Sequence, residues 1–329
     1  MGNHVIRRAV LGAALLTPAL VQAGPEHAPA AWPARPVRVV VPFPPGQSMD
    51  VLPRILGEVL LRQLPHPLIF ENRAGGVGVP GTEAVIRAAP DGYTLGIGAM
   101  STLAVNPALL PHLSYDPARD LVPVAQVFAG AQAVVVHPTV PARSMAELVD
   151  WLRANPGTRY ASAGPATTPH LAAELLARRL GLVLEHVAYR GSGPAMADLV
   201  AGVLPMMVDS ASSALPQARA GRVHLLAVTT AARLPGWPEV PTVAETVSPG
   251  FEVVGWGGLV APAGTPTPLI EAINAAAQAG LRDPMLAGRF AELGAVPMPG
   301  TSGVFAAFVR SEMVRWGEVV RAADIRLEG

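Results

Sequence analysis

Short Val- and Ile-rich runs alternate along the chain with Ala- and Leu-rich stretches whose apolar residues recur at helical spacing. That alternation restricts the fold to α/β, because parallel strands need long, usually helical, crossovers between them. Residues 37–41 read as a strand that ends at Pro42-Phe43-Pro44-Pro45-Gly46, followed by helical spacing over 51–64. A second strand over 68–70, a short helix over 82–89 and a turn at Pro90-Asp91-Gly92-Tyr93 lead to a strand at 94–99. Further strands are expected at 122–128, 133–136, 159–161, 185–188, 206–208 and 223–228, with helices at 145–154, 170–180, 195–201 and 215–220.

After Phe251 the pattern changes: one strand to Val260, then only helix, over 269–281, 284–293 and 304–323. A terminal helical block without a sheet of its own must pack on what is already built, so the chain is expected to cross twice between two lobes, near 128–133 and 250–258. The implied architecture is a discontinuous first domain, 33–130 plus 256–329, with a second domain, 131–255, inserted in it. Each lobe is a sheet flanked by helices. Two linking strands form a hinge, the geometry for closure around a ligand.

The first 23 residues read as an export signal, since Arg7 and Arg8 precede an apolar run over 9–20 and a small-residue exit at Val21-Gln22-Ala23. The run is too short for a bilayer span of roughly 20 residues. The Arg pair resembles a twin-arginine signal, but generic Sec export fits the following Ala-Val-Leu better. Cleavage near Ala23 leaves ~300 residues, comfortable for two cores. The Pro-rich stretch over 25–36 reads as a leader to the first strand.

Composition removes several function classes. Twenty-four basic residues balance 24 acidic ones, so no basic footprint for nucleic acid exists. No cysteine is present, which excludes disulfides, thiolate metal sites and a lipidated N-terminal Cys. Every basic residue is Arg, which excludes P-loop and Schiff-base chemistry. Neither G-x-S-x-G nor H-E-x-x-H occurs, no metal spacing appears and no cofactor is implied. Gly76-Val77-Gly78-Val79-Pro80-Gly81 spells G-x-G-x-x-G but follows the second strand and lacks the acidic partner of a dinucleotide site, so it reads as a flexible loop.

Three loops share one design, in which a strand ends, small or hydroxyl residues follow and a helix begins. Ligand crevices of open α/β sheets lie at such strand ends. In the first, Pro42 to Asp50, Gly46 lets backbone approach a ligand and Ser48 is the expected N-cap. The second, Ser162 to His170, has Thr168 as expected N-cap and Pro169 at the first helical position. The third, Tyr189-Arg190-Gly191-Ser192-Gly193-Pro194, leads into a helix from Ala195. Helix N-termini offer unpaired N–H groups and about half a positive charge, so such loops suit a carboxylate without Lys. His170 can donate to an anion or sit as a hydrogen-bonded structural histidine. Arg190 can clamp a carboxylate or bridge to Asp209 or Asp198. Asp209 can fix a water or an amino group, or cap the next turn.

At these loops the sequence resembles the Bug family, periplasmic receptors of tripartite tricarboxylate transporters. The resemblance is carried, in family order, by Trp32-Pro33 through Gly46, Glu71-Asn72-Arg73-Ala74-Gly75, Pro90 to Leu95, Asn106-Pro107, Tyr115-Asp116-Pro117, Tyr189-Arg190-Gly191, Pro241 to Glu245 and Ala261 to Pro266. It implies a type II-like, two-lobed periplasmic binding protein, monomeric and not membrane-spanning, that takes a small carboxylate and delivers it to a membrane permease. Carried over by motif position, its ligand residues are Phe43, Gly46, Gln47, Ser48 and Asp50; Ser101 and Thr102; Ser162, Gly164, Thr167 and His170; and Arg190, Gly191 and Asp209. Gln47 and Met49 stand where the family usually has Gly and Thr, and Ala166 and Thr168 where it has Gly and Pro, which implies a changed pocket. Two other readings fit the residues: an exported α/β hydrolase with Ser101 or Ser192 as nucleophile and His170 as base, and a receptor that signals to a partner.

Overall fold

The computed structural model describes residues 1, 2 and 32–322. From residue 3 on, the expected export signal and its exit at Ala23 lie outside the described residues, as do the start of the Pro-rich leader and Ala323, the expected end of the last helix.

The chain runs β1 (Val37–Val41), α1 (Ser48–Leu60), β2 (Leu68–Asn72), a 3-10 turn (Gly76–Gly78), α2 (Val79–Ile86) and β3 (Thr94–Ala99). A π-helical turn (Met100–Val105), α3 (Asn106–Leu109) and α4 (Pro117–Asp120) lead to β4 (Leu121–Val136). Next come α5 (Met145–Ala154), β5 (Thr158–Ser162), α6 (Thr168–Leu180), β6 (Leu184–Ala188), α7 (Ser192–Val200), β7 (Met206–Ser210), α8 (Ala211–Arg219), β8 (His224–Val228) and α9 (Val243–Thr246). β9 (Val254–Pro262), α10 (Thr267–Leu281), α11 (Pro284–Glu292), β10 (Ala295–Pro297) and α12 (Ser302–Ala322) follow.

The α/β reading is confirmed, with two corrections to the sheets. β1 pairs parallel with β2 and β3, and β5 parallel with β6 and β7, as crossover helices require. The sheets are nevertheless mixed, because β9 runs antiparallel to β3 and β4, and β4 antiparallel to β7 and β8. The strands expected at 122–128 and 133–136 are one. Ala129-Gly130-Ala131 breaks the β-branched pattern, yet its backbone pairs with Trp256, Gly255 and Val254, so the ladder continues from the first sheet into the second. The expectation of helix alone after Val260 also fails, since Ala295–Pro297 pairs with Phe128–Gly130 of β4.

Packing explains why these elements hold. All of β1 but Arg38 is buried, the continuous apolar run of a strand covered on both faces. α1 buries Leu52, Ile55, Leu56, Val59 and Leu60, one stripe at i, i+3, i+4, i+7 and i+8, each side chain contributing about 1.5–3 kcal/mol. That stripe meets α10 at Gly280, where a Cβ would lie 2.7 Å from Leu56 Cδ1, so a larger residue there would separate the helices. The terminal helix is pinned by the buried Glu312, which accepts from Trp256 Nε1 of β9 at 2.8 Å and from Trp316 Nε1 at 3.0 Å.

Candidate functional site

Each of the three loops opens a helix earlier than its sequence suggests. Gln47, not Ser48, holds the cap position of α1, and Ser48 is its first residue. Thr167, not Thr168, precedes α6, placing Pro169 second in the helix. α7 starts at Ser192 rather than Ala195, with Gly191 at the cap. Gly193 and Pro194 are tolerated there because first-turn N–H groups have no intrahelical acceptor to lose.

Gln47, Thr167, Gly191 and Ser210, which precede α1, α6, α7 and α8, make no side-chain capping hydrogen bond among the described residues. Residues from all four helix starts line one cleft. Its inner end is a cavity of about 20 Å³, room for about one water, walled by Ser48, Thr168, Ser192, Asp209 and Gln132. The outer part measures about 560 Å³ and shares Phe43, Gln47, Ser101 and Thr167 with the inner end. Loop 1 and loop 3 touch across it: a Cβ on Gly191, whose φ is +113°, would meet Pro44 Cβ at 3.0 Å and Gln47 Nε2 at 3.3 Å. Only glycine fits that contact without strain.

Nine of the fourteen expected site residues line the cleft: Phe43, Gln47, Ser48, Ser101, Gly164, Thr167, Arg190, Gly191 and Asp209. The other five stand behind it. Asp50 accepts from the Gly46 N–H at 3.0 Å, from Arg54 Nε at 2.8 Å and from Asn72 Nδ2 at 2.8 Å, so it organises loop 1 from beneath, and Gly46 is spent on that turn. Asn72, part of the Glu71 to Gly75 stretch but not among the expected site residues, also donates to the Phe43 carbonyl at 3.0 Å and fixes the residue that does face the cleft. Thr102 accepts from the Ala99 N–H at 3.1 Å and starts the π-helical turn. Ser162 is fully buried, 2.7 Å from His186 Nε2. His170 is buried, its Nδ1 accepting from the Ala166 N–H at 3.2 Å and its ring stacked on His186 at 4.1 Å, which is the structural role rather than an anion donor.

Burial also sets the charge of these groups. It lowers His170 to about 4, and it lowers His186 to about 4 with help from its histidine neighbour, so both rings are neutral at pH 7. Burial pushes Asp209 up to about 6, opposed by the Ser192 hydroxyl that donates to its Oδ1 at 2.6 Å. Asp209 Oδ2 and Gln132 Oε1 are buried without a hydrogen-bond partner among the described residues, and both residues wall the inner cavity. Gln132 had a signal in the sequence, since it and Gln126 are the two polar residues inside the apolar run of β4. The suggested bridges from Arg190 to Asp209 or Asp198 do not form: Asp209 pairs with Ser192, and Asp198 accepts from the Tyr189 hydroxyl. The hydrolase arrangement is likewise missing, since Ser192 donates to Asp209 and neither Ser192 nor Ser101 bonds to His170 among the described residues.

The glycine-rich stretch expected to be a flexible loop is an ordered 3-10 turn and the start of α2, with Val77 at φ 49°, ψ 31°, and it forms part of the outer cleft wall. Among the described residues no group of three or more His, Cys, Asp or Glu is placed to hold a metal, and no helix is long and apolar enough to cross a membrane.

A sequence model described as "Tripartite tricarboxylate transporter family receptor" matches residues 52–325. The chain belongs to that family. BugT of Bordetella pertussis is 36% identical over 90% of this receptor-family chain and 92% of its own. Among solved structures, an R. palustris protein with adipate superposes with a TM-score of 0.86 at 32% identity, covering 90% of this chain and 99% of that one. MatC from Rhodopseudomonas palustris, with bound malate, gives 0.82 at 33%, covering 88% and 100%. The architecture is therefore that of the two-lobed periplasmic binding proteins.

Proposed function

We propose that this receptor, exported to the periplasm after cleavage near Ala23, acts as a monomer that captures a small carboxylate, an organic acid or amino acid, between two lobes. The lobes are residues 33–130 with 256–329, and residues 131–255; β4 and the segment entering β9 are the hinge. The closed form hands its ligand to a tripartite tricarboxylate-type membrane transporter. One observation carries the reading: four helices start at one cleft without side-chain caps, so oriented N–H groups and helix dipoles converge where formal positive charge is scarce. The proteins with adipate and malate support the ligand class. We infer no catalysis, because neither Ser101 nor Ser192 bonds to a histidine among the described residues.

The test is thermal unfolding of the mature chain against a carboxylate panel that includes adipate and malate. A ligand at 100 times its Kd contributes about 2.7 kcal/mol of stability and raises the Tm. A flat response across the whole panel contradicts the proposal.

A further inference from the structure

Two buried acceptors at the inner end of the cleft lack a donor among the described residues. Asp209 is fully buried and Gln132 is 3% exposed. Asp209 spends Oδ1 on the Ser192 hydroxyl, at 2.6 Å, and its Oδ2 has no hydrogen-bond partner. Gln132 donates from Nε2 to the Gly130 carbonyl at 3.3 Å, which fixes the orientation of its amide and leaves Oε1 as the second unpaired acceptor. The backbone of Gln132 is held as well: its N–H donates to Thr229 Oγ1 and its carbonyl accepts from the Thr229 N–H, each at 3.0 Å. Its Nε2 would stand 2.8 Å from a Cβ on Gly255, so β9 keeps bare backbone against it. Both residues wall the same cavity of about 20 Å³ as Ser48, Thr168, Ser192 and Ser210 from the four uncapped helix starts.

The supply of protons decides what suits this corner. A ligand carboxylate only accepts, so it satisfies free helix N–H groups and does nothing for Asp209 Oδ2 and Gln132 Oε1. One water fits the cavity and has two protons, enough for both acceptors, but its lone pairs then face the incoming carboxylate. A ligand ammonium is of similar size, carries three protons and sets a positive charge against Asp209. A hydroxyl brings one proton and serves one acceptor. Displacing an ordered water loses affinity unless the ligand reproduces its hydrogen bonds, and of these groups the ammonium alone reproduces both.

Resting on the carboxylate reading above, we infer that this receptor selects α-amino acids: the carboxylate meets the uncapped helix starts while the α-ammonium donates to Asp209 Oδ2 and Gln132 Oε1. One small space presents both the helix starts and the two acceptors, so the acid and the ammonium must sit close together on the ligand, which is the α arrangement. Asp209 and Gln132 are the specificity-determining pair. A site built to bond an N–H rejects the analogue without it far more strongly than an apolar pocket rejects a missing methylene.

Isothermal titration of the mature chain with matched acids tests the class: propanoate, lactate and alanine; succinate, malate and aspartate; adipate, 2-hydroxyadipate and 2-aminoadipate. Within each triad only the α substituent changes. We expect the amino member of any triad that binds to bind at least 100-fold more tightly than the bare acid, about 2.7 kcal/mol, with the hydroxy member between them. Asp209→Asn keeps an acceptor for Ser192 and can turn an NH2 to where Oδ2 stands, so it should lose at least tenfold for the amino member while the bare acid gains. Gln132→Met keeps the length without the amide and should also lose about tenfold for the amino member. A ligand-free Tm of Asp209→Asn no lower than that of wild type separates this loss from misfolding. Bare or hydroxy members that bind as tightly as the amino member, or binding confined to panel acids without an α donor, overturn the amino-acid class and leave the carboxylate reading standing. An amino preference that survives in both variants overturns its assignment to Asp209 and Gln132. Binding of none of these acids, nor of any in the panel above, overturns both readings.

Discussion

Helix starts at the cleft can be set against several that lie elsewhere in the molecule. α5, α9 and α11 begin away from the cleft, and each is closed by its own sequence: Ser144 accepts from the Glu147 N–H, Thr242 from Glu245 with the reciprocal bond, and Asp283 from Met285. α3 and α10 also begin away from the cleft and have no side-chain cap, so what marks the cleft is that the uncapped starts of α1, α6, α7 and α8 converge there. Caps are worth about 1 kcal/mol each, and four open starts in one place leave their N–H groups to water or to an incoming acceptor. The comparison marks the candidate site by what the chain withholds as well as by what it supplies.

The largest effect expected from breaking this contrast comes from adding an anion at a helix start. Ser48→Asp places a carboxylate at the first residue of α1; it should weaken acid binding by at least a thousandfold, about 4 kcal/mol, while raising stability by about 0.3–1 kcal/mol. Calorimetry beside urea denaturation checks both signs. Unchanged binding would show that the α1 start is not part of the anion site.

Asp209 sharpens the inner end. Its carboxyl is raised to about 6, so the unfolded chain gives up this proton first, and the native state loses stability as pH rises from about 4 to about 6. Asp209→Asn should remove that cost, stabilising the ligand-free protein by roughly 3 kcal/mol at pH 7 and by little at pH 4. Equal gains at both pH values would place the effect elsewhere.

The histidine pair beneath loop 2 shifts the other way. His170 and His186 are lowered to about 4, so they favour the fold fully above pH 6.5, and that contribution is lost as pH falls through 4. His170→Asn, which retains an acceptor for the Ala166 N–H, should flatten the acid limb by about 2 kcal/mol at pH 5. Parallel denaturation curves for wild type and variant would rule this out.

The smallest effect is the control on the other group. Ser144→Ala should cost about 1 kcal/mol in stability and leave acid affinity within error. A change in affinity would mean that surface caps and the cleft are coupled.

How far the sequence could be read follows from the same physics. β1 and β3 were legible to the residue, because β1 is apolar and buried but for Arg38 and β3 follows directly on the Pro90 to Tyr93 turn. β4 was not, because the pairing that carries it through Gly130 comes from β9 and β10, far away in the chain. The short β10 exists only through β4. Several helix starts with Pro or Gly in the first turn were placed late, as at Pro194, since those residues stop a helix interior but not its beginning, whereas α11, which begins on Pro284, was placed correctly. In the cleft, residues at the loop tips were found, whereas Asp50, Thr102, Ser162 and His170 look the same in sequence and turn inward on local partners. Gln132 was missed for the opposite reason: it lies inside a strand rather than in a loop.

The central claim is that the uncapped helix starts grip a negative charge. Its most direct test is a pair of titrations, comparing the tightest-binding acid of the panel with its primary amide, which has nearly the same shape but no charge. The acid should bind at least 100-fold more tightly, about 2.7 kcal/mol, at pH 7. Equal affinities for acid and amide would contradict the account.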